Sequence, residues 1–512
     1  MIRSQRSATH SGMAITRYRL LLPLAVLLEA AFLSLHRLEN FKLQAVEFIT
    51  TYLVVSLLYL VCCFLITNSG GDGALPRRWM KLIWGAGILF RLTVFPLDPM
   101  LSEDLNRYRW QGKLQAAGGN PYTEVPQDPR WEPLRDATYA SVNGKNLPSV
   151  YGPVLERFYA AYYRLVSALQ PDERGQVWWF KAPFALFELA VAMALGGLLA
   201  AMGLPRQWLL IYLWSPLTIV EFWAQGHNDT VAVLFMVLAL TAALKQRWVW
   251  GWTWLTLAAL TKFWPVILFP FFLVQREGGR WRIRYRAALV AIPTALAVSW
   301  PYLDGISNVE EILAGFVGGW RNNDSLYALI YWAVDEDFSA GTMWVKRFLA
   351  GGLALLWANY LWGRSPWRSW GWTGPGAADT RTASIEKHSG AVRPDENPAD
   401  PEGDRLSLVR CAKWAVLLLL FLAANCFPWY LSWLLPFLVI FPDAALLLWT
   451  ALVSLSYHIL IRYELLGIWQ ENDEIRLMEY VPVYAMLIGS ALWRLAMSRR
   501  LSRRGCGESA DS

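Results

Sequence analysis

The chain has 512 residues, 55% of them hydrophobic and 14% aromatic, with 30 tryptophans and a formal net charge of +7. This composition, spread over many apolar runs near membrane-spanning length, excludes a set of soluble domains and identifies a polytopic integral membrane protein. The basic residues stand in short clusters between apolar runs, as the positive-inside rule requires, so the charge sets topology and does not signal nucleic acid.

Candidate spans in chain order are 18–35, 45–67, 79–96, 177–203, 208–224, 229–244, 285–303, 343–362, 409–426, 428–441, 444–461 and 480–497. The first follows Arg17 and Arg19 like a signal-peptide core, but no small-residue cleavage site comes after it, so it reads as a retained anchor. Several runs are short for ~30 Å of hydrocarbon and predict tilted or half-spanning helices. Arg3, Arg6, Arg17 and Arg19 place the N-terminus inside, and Arg77, Arg78 and Lys81 place the second connection inside. Arg499, Arg500, Arg503 and Arg504 do the same for the C-terminus. The loop 97–176 then faces outside, and it is too long for charge bias to govern it.

That loop holds Ser102-Glu103-Asp104, Arg107-Tyr108, Gly118-Gly119-Asn120-Pro121-Tyr122 and Tyr151-Gly152-Pro153. Adjacent carboxylates among tight turns and aromatic rings at a membrane surface read as a water-facing active site. The same acids also read as a solvated helix start capped by Ser102.

Further polar residues fall on the same side. Gly226-His227-Asn228-Asp229 lies at an outer turn between two spans, either as substrate contacts or as a cap for the next helix. Segment 248–275 has basic residues on both flanks: Lys245 and Arg247 before it, and Arg276, Arg280, Arg282, Arg284 and Arg286 after it. Charge parity therefore predicts two short helices that go out and return, broken at Thr261-Lys262-Phe263-Trp264-Pro265, with Lys262 at the outer tip. There Lys262 either snorkels to headgroups or binds a phosphate. Trp320-Arg321-Asn322-Asn323-Asp324-Ser325 reads as an outer loop, where an Arg beside a Trp suits a lipid phosphate or a sugar, or as an ordinary polar turn. Pro428-Trp429-Tyr430 and Trp433 read first as an interfacial aromatic belt and second as substrate contacts. Residues 365–405, rich in Pro, Gly, Ala, Asp and Thr, read as a disordered inside linker. The five cysteines show no C-x-x-C spacing, so neither a disulfide framework nor a zinc site is indicated.

The implied organisation is N-terminal membrane helices over 1–96, an outer catalytic loop over 97–176, and a central membrane region over 177–362. A disordered loop over 363–408, C-terminal membrane helices over 409–498 and a tail over 499–512 complete it.

At these motifs the chain resembles the GT-C glycosyltransferases, multi-span membrane enzymes that use polyprenyl-phosphate sugars. Within them it is similar to bacterial mannosyltransferase-like proteins and to the catalytic subunit of GPI-anchor mannosyltransferase I. In that subunit an Asp-x-Asp, a Gly-x-Ser-Pro-Tyr and a Tyr-Thr-Pro follow one another in the first large loop. Ser102-Glu103-Asp104, Gly118 to Tyr122 and Tyr151-Gly152-Pro153 stand in the same order here. Ser102 replaces the first acid, and Trp110-Gln111-Gly112 stands where the bacterial proteins have Trp-Asp-Gly.

The resemblance implies an all-α GT-C-like bundle of about 12–14 transmembrane or half-spanning helices, with a large outer first active-site loop. It implies transfer of a hexose, expected to be mannose, from a polyprenyl-phosphate donor to a glycan or lipid-linked acceptor with inversion. The alternative is a transporter or flippase of lipid-linked sugars, which would need charges at mid-depth and paired broken helices in two halves. Such a transfer needs a base for the acceptor hydroxyl and cations for the departing phosphate. Asp104 is the expected base, with Glu103 orienting the acceptor or substituting for it; Lys262 and Arg321 are the expected phosphate clamps. Arg107, Tyr108, Asn120, Tyr122 and Tyr151 of the loop are expected at the substrate. So are His227, Asn228, Asp229, Asn323 and Asp324. No cofactor is expected; a divalent metal fits beside two carboxylates, but two adjacent acids and one histidine do not require it. In a bacterium the protein would sit in the inner membrane with a periplasmic active site and cytoplasmic termini.

Overall fold

The computed structural model describes residues 18–68, 76–277, 280–306, 308, 321–362 and 401–508. Most of the expected linker 365–405, together with Arg3, Arg6, Arg17 and Trp320, lies outside them. The described residues are mostly helical and form an all-α polytopic bundle. Among the described residues five helices are long and apolar enough to cross a membrane: Ala45–Thr67, Glu173–Ala201, Tyr285–Gly305, Ala444–Leu466 and Asp473–Met497.

Eleven helices position the site: α1 (Leu21–Ser34), α2 (Ala45–Thr67), α3 (Arg77–Val94), α4 (Asp104–Ala116), α5 (Pro153–Leu169), α6 (Lys181–Ala201), α7 (Asp229–Leu244), α8 (Trp248–Ala259), α9 (Phe338–Trp362), α10 (Pro401–Leu422) and α11 (Asp473–Glu508). One continuous core joins Leu28 of α1, Tyr59 of α2, Phe90 of α3, Leu195 of α6 and Leu240 of α7 to Trp449 in the C-terminal part. On the opposite faces Leu57, Leu355 and Trp493 are well exposed. Such apolar surface is a liability in water but is the solvated face in lipid.

Three runs depart from simple spans. Segment 208–224, expected as one helix, is broken into Leu210–Leu213, Pro216–Thr218 and a wide π-type turn Ile219–Ala224. Pro216 has no N–H and ends the preceding helix. The run 248–275 breaks as its Pro and Lys predict: α8 stops at Ala259, and a tight turn Trp264–Leu268 leads into Phe269–Leu273. Beyond it, the basic run forms an antiparallel hairpin, β1 (Val274–Glu277) with β2 (Arg280–Ile283), Val274 opposite Ile283. Four-residue strands are too short to show a period of two, so the sequence gives no sign of this exception to an all-helical chain.

An ion pair inside the bundle fixes the broken segment. Arg91 of α3 meets Glu188 of α6 at 2.5 and 2.8 Å, and both side chains are fully buried. Arg91 also donates to the carbonyl of Leu213, and Trp223 donates to Glu188 at 2.8 Å. Charges at such depth persist only when paired and hydrogen-bonded, so α3, α6 and the π turn are held in one arrangement.

Candidate active site

The first large loop is pinned by the cations of α4. Ser102 Oγ accepts from the Asp104 amide at 3.2 Å, and the Asp104 carboxylate stands in the first turn, where the helix dipole favours an anion. Arg107 donates to the carbonyls of Asn143, Gly144 and Leu147 at 3.1, 2.7 and 2.7 Å, drawing the returning chain toward the helix start. Arg109 and Lys113 share Asp136 at 2.8 and 2.6 Å. The chain then arrives at Tyr151-Gly152-Pro153, which docks on the break after α8. The Gly152 amide donates to Thr261 O at 3.0 Å and the Val154 amide to Leu260 O at 3.1 Å. A Cβ on Gly152 would lie 2.0 Å from Leu260 O, so only glycine fits.

Between these parts lies a cavity of about 460 Å³. Its polar lining includes Asp104, Glu103, Asn143, Lys42 and Lys262. Its aromatic lining is Tyr151, Trp264, Phe427, Trp429, Tyr430 and Trp433, among others. Aliphatic side chains line it too, among them Val345 and Leu349 of α9 with Leu419 and Leu422 of α10.

Asp104 Oδ1 accepts from Asn143 Nδ2 at 2.8 Å, and Oδ2 accepts from Tyr108 OH at 3.2 Å and faces His227 Nδ1 at 3.4 Å. Burial pushes this carboxyl up, but His227, Asn143 and Lys262 outweigh it and hold its pKa below the usual value, so it is ionised at neutral pH. Gly226, at φ +73, turns the chain so that His227, Asn228 and Asp229 follow; a Cβ there would meet Lys181 Cβ at 2.5 Å. Asp229 is wholly buried and receives Lys262 Nζ at 3.0 Å and Trp433 Nε1 at 2.7 Å. Asn228 donates to Tyr159 OH at 2.6 Å behind the site, where Tyr108 and Tyr159 stack at 5.0 Å.

Of the expected site residues, Asp104, Arg107, Tyr151 and Lys262 line this cavity, and Tyr108, His227 and Asp229 stand against Asp104 and Lys262. Glu103 lines the same cavity but is turned to Lys42 at 3.0 Å, which also meets Glu464 at 3.2 Å. Asn120 and Tyr122 are built into the loop: Asn120 Oδ1 accepts from the Tyr122 amide at 3.0 Å, and Tyr122 OH donates to Tyr151 O at 2.8 Å. Arg321 does not line the cavity; it pairs with Asp324 at 2.7 Å and lies over the Tyr331 ring. Asn323, at φ +51, donates to Glu479 at 3.1 Å. Among the described residues no group of three or more His, Cys, Asp or Glu side chains is placed to hold a metal ion.

One expectation is overturned. Trp429 and Trp433 are not a lipid-facing belt: Trp429 stacks on His227 at 3.7 Å and Trp433 on Trp264 at 4.9 Å, all of them buried. An aromatic cluster beside a short apolar run looks the same in sequence whether it faces headgroups or a cavity. Sequence reasoning also missed Lys42, Asn143, Glu221 and Lys346. For Glu221 the signal was present, as an acid within an apolar span is functional by default.

Residues 23–276 match the family model described as alpha-(1->6)-mannopyranosyltransferase, N-terminal domain. The matched stretch takes in the loop, the turn at Gly226 and the broken hairpin on which the loop sits. No curated protein and no solved structure matches the chain. With the helical membrane bundle and the Asp104 cavity already described, the match over residues 23–276 is consistent with a GT-C-like mannosyltransferase and supports a membrane glycosyltransferase that transfers mannose.

Proposed function

We propose that the protein moves mannose from a polyprenyl-phosphate mannose donor to a hydroxyl of a glycan or lipid-linked acceptor, with inversion, on the outer side of the membrane. The observation that carries this reading is one cavity lined at once by an ionised carboxylate, by aromatic rings and by aliphatic side chains of α9 and α10. Such a mixed lining suits a substrate that is sugar in one part and isoprenoid in another. Asp104 takes the acceptor proton as the new O–C1 bond forms, while the C1–O bond to phosphate breaks and its electron pair leaves with the phosphate. Lys262 and Lys346 both line the cavity and offset the growing phosphate charge. The aromatic faces of Trp264, Trp429 and Tyr430 suit the apolar faces of a hexose and shield the reacting carbon from water. The charge parity of the sequence puts this end of the bundle outside and both termini inside, which in a bacterium means a periplasmic site in the inner membrane.

The test is purified protein in detergent, with no gradient, given polyprenyl-phosphate mannose labelled in the sugar and an α-mannoside acceptor. Release of polyprenyl phosphate with appearance of an α-linked product is expected. Movement of lipid-linked sugar across proteoliposomes without consumption of the donor would replace this reading with the flippase.

A further inference from the structure

Glu221, in the π turn Ile219–Ala224, is fully buried, and the reaction described above does not use it. Its Oε1 accepts from Tyr457 OH at 2.7 Å, while Oε2 has no hydrogen bond and lies 3.4 Å from His227 Nε2. The other ring nitrogen, Nδ1, is 3.4 Å from Asp104 Oδ2. The imidazole is 1% exposed, is clamped by its stack on Trp429, and makes no hydrogen bond to any other group. Each nitrogen of one buried ring therefore faces a carboxylate oxygen.

A neutral imidazole has one N–H and one lone pair, and a lone pair aimed at a carboxylate oxygen is repelled. With Asp104 ionised, two arrangements avoid that repulsion. Either the ring is doubly protonated between two anions, or it is neutral with Nε2 accepting a proton held by Glu221. In both, Nδ1 carries its hydrogen toward Asp104. We propose that Glu221 is a positioning residue for the transfer: acting through His227, it keeps an N–H donor on Asp104 Oδ2, so that the base stays ionised and its remaining lone pairs face the acceptor hydroxyl. The inference rests on Asp104 being the base.

The titratable groups around this chain are few. Tyr457 and Tyr52 face Glu221, Tyr52 donating its own hydroxyl hydrogen to Thr450 O; Asp229 is the other nearby acid. Tyr108, Tyr151, Arg107 and Lys262 surround Asp104. Among the described residues the imidazole is the only basic group in contact with Glu221.

The experiment is the pH profile of kcat for Glu221→Gln with donor and acceptor saturating. The amide keeps the shape, but it neither favours a doubly protonated ring nor holds one tautomer against the other, so the donor on Asp104 is weakened and the pKa of Asp104 rises. The expected result is a roughly tenfold lower kcat, a donor KM within about twofold, and an acid limb displaced upward by about half a pH unit or more. Tyr457→Phe, which weakens the hold on the Glu221 anion, should move the limb the same way by less. If Glu221→Gln does not fold, Tyr457→Phe and His227→Gln decide, the latter with the full displacement. An unmoved acid limb in the folded variants, even with reduced activity, overturns the inference, because a purely structural role would lower activity without moving the limb. Asp104→Asn separates the two levels. If it keeps its turnover, the base assignment falls and this inference with it. If it is inactive while Glu221→Gln retains the wild-type limb, only the role of Glu221 falls.

Discussion

Two charged clusters in this protein are built differently. Around Arg321 every charge is answered: Asp324 lies between Arg321 at 2.7 Å and Arg476 at 2.5 Å, Arg476 also meets Asp473 at 2.7 Å, and Arg321 is laid on Tyr331. Asn323 ties this knot to α11 through Glu479, and the backbone of Asn322 pairs with Ala424 and Cys426 next to the cavity wall. Around Asp104, by contrast, no Lys or Arg among the described residues pairs with the acid, and 18% of its side chain stays open to a cavity. The first cluster holds segments together. The second leaves an anion with spare lone pairs where a substrate can reach it.

The sharpest way to break this contrast is Asp104→Asn, which keeps the shape and removes the proton acceptor. Transfer should fall by about 10²- to 10⁴-fold with the unfolding midpoint almost unchanged, measured as product formed by purified variant and by a thermal melt. Lys262→Met comes next. It strands the buried Asp229 anion, so a loss of about 3 kcal/mol in stability is expected together with roughly tenfold weaker donor use. Adding Asp229→Asn should restore most of the stability and little of the donor use, which separates the structural from the chemical role of the lysine. In the answered cluster, Arg321→Ala should cost about 1 kcal/mol of stability and leave donor KM within roughly threefold. A tenfold rise in donor KM would return Arg321 to the phosphate.

The mildest effect on activity is expected at Glu156, a third kind of acid, buried and without an ion pair among the described residues. It accepts from Ser149 Oγ and from Gln115 Nε2, and burial pushes its pKa up to about 8. A carboxyl that is raised in the folded state stabilises the fold most at low pH. That contribution declines as pH rises from the unfolded value near 4.5 to about 8, by up to about 1.4 kcal/mol per unit. Melting of Glu156→Gln should be flat over that window where the wild type falls, with transfer at pH 7 little changed.

Much of the scaffold was legible in the sequence. Apolar run lengths gave most of the helices, and the Pro and Lys at 261–265 gave the break in the hairpin. The adjacent acids and the Gly/Pro turns singled out the loop that carries Asp104. What stayed hidden depends on which way a side chain faces once helices pack. Glu103 and Asp104 are neighbours in sequence, yet one turns to Lys42 and the other to His227. Trp429 and Trp433 are indistinguishable by type from the aromatic residues of a membrane interface. Arg321 looked like a phosphate clamp because its neighbour Asp324 reads as one more polar turn residue, and the second cation on that acid, Arg476, comes 152 positions after it, beyond the reach of local pattern. Pro216 did mark the broken span, and that signal was simply outweighed by the apolar run around it.

The seat of Gly152 on the carbonyls of Leu260 and Thr261 has a consequence for how the enzyme is made. The loop leaves the ribosome about a hundred residues before the backbone it rests on, so while the intervening helices enter the bilayer its amides at 152 and 154 have only water to bond. A nascent chain halted before Trp248 would carry the acid, the tyrosines and the turns, and still lack the surface that sets their geometry. The loop can take its seat once residues 260 and 261 are in place, but the cavity beside it is complete only when Trp429 and Trp433 have come to rest on His227 and Asp229.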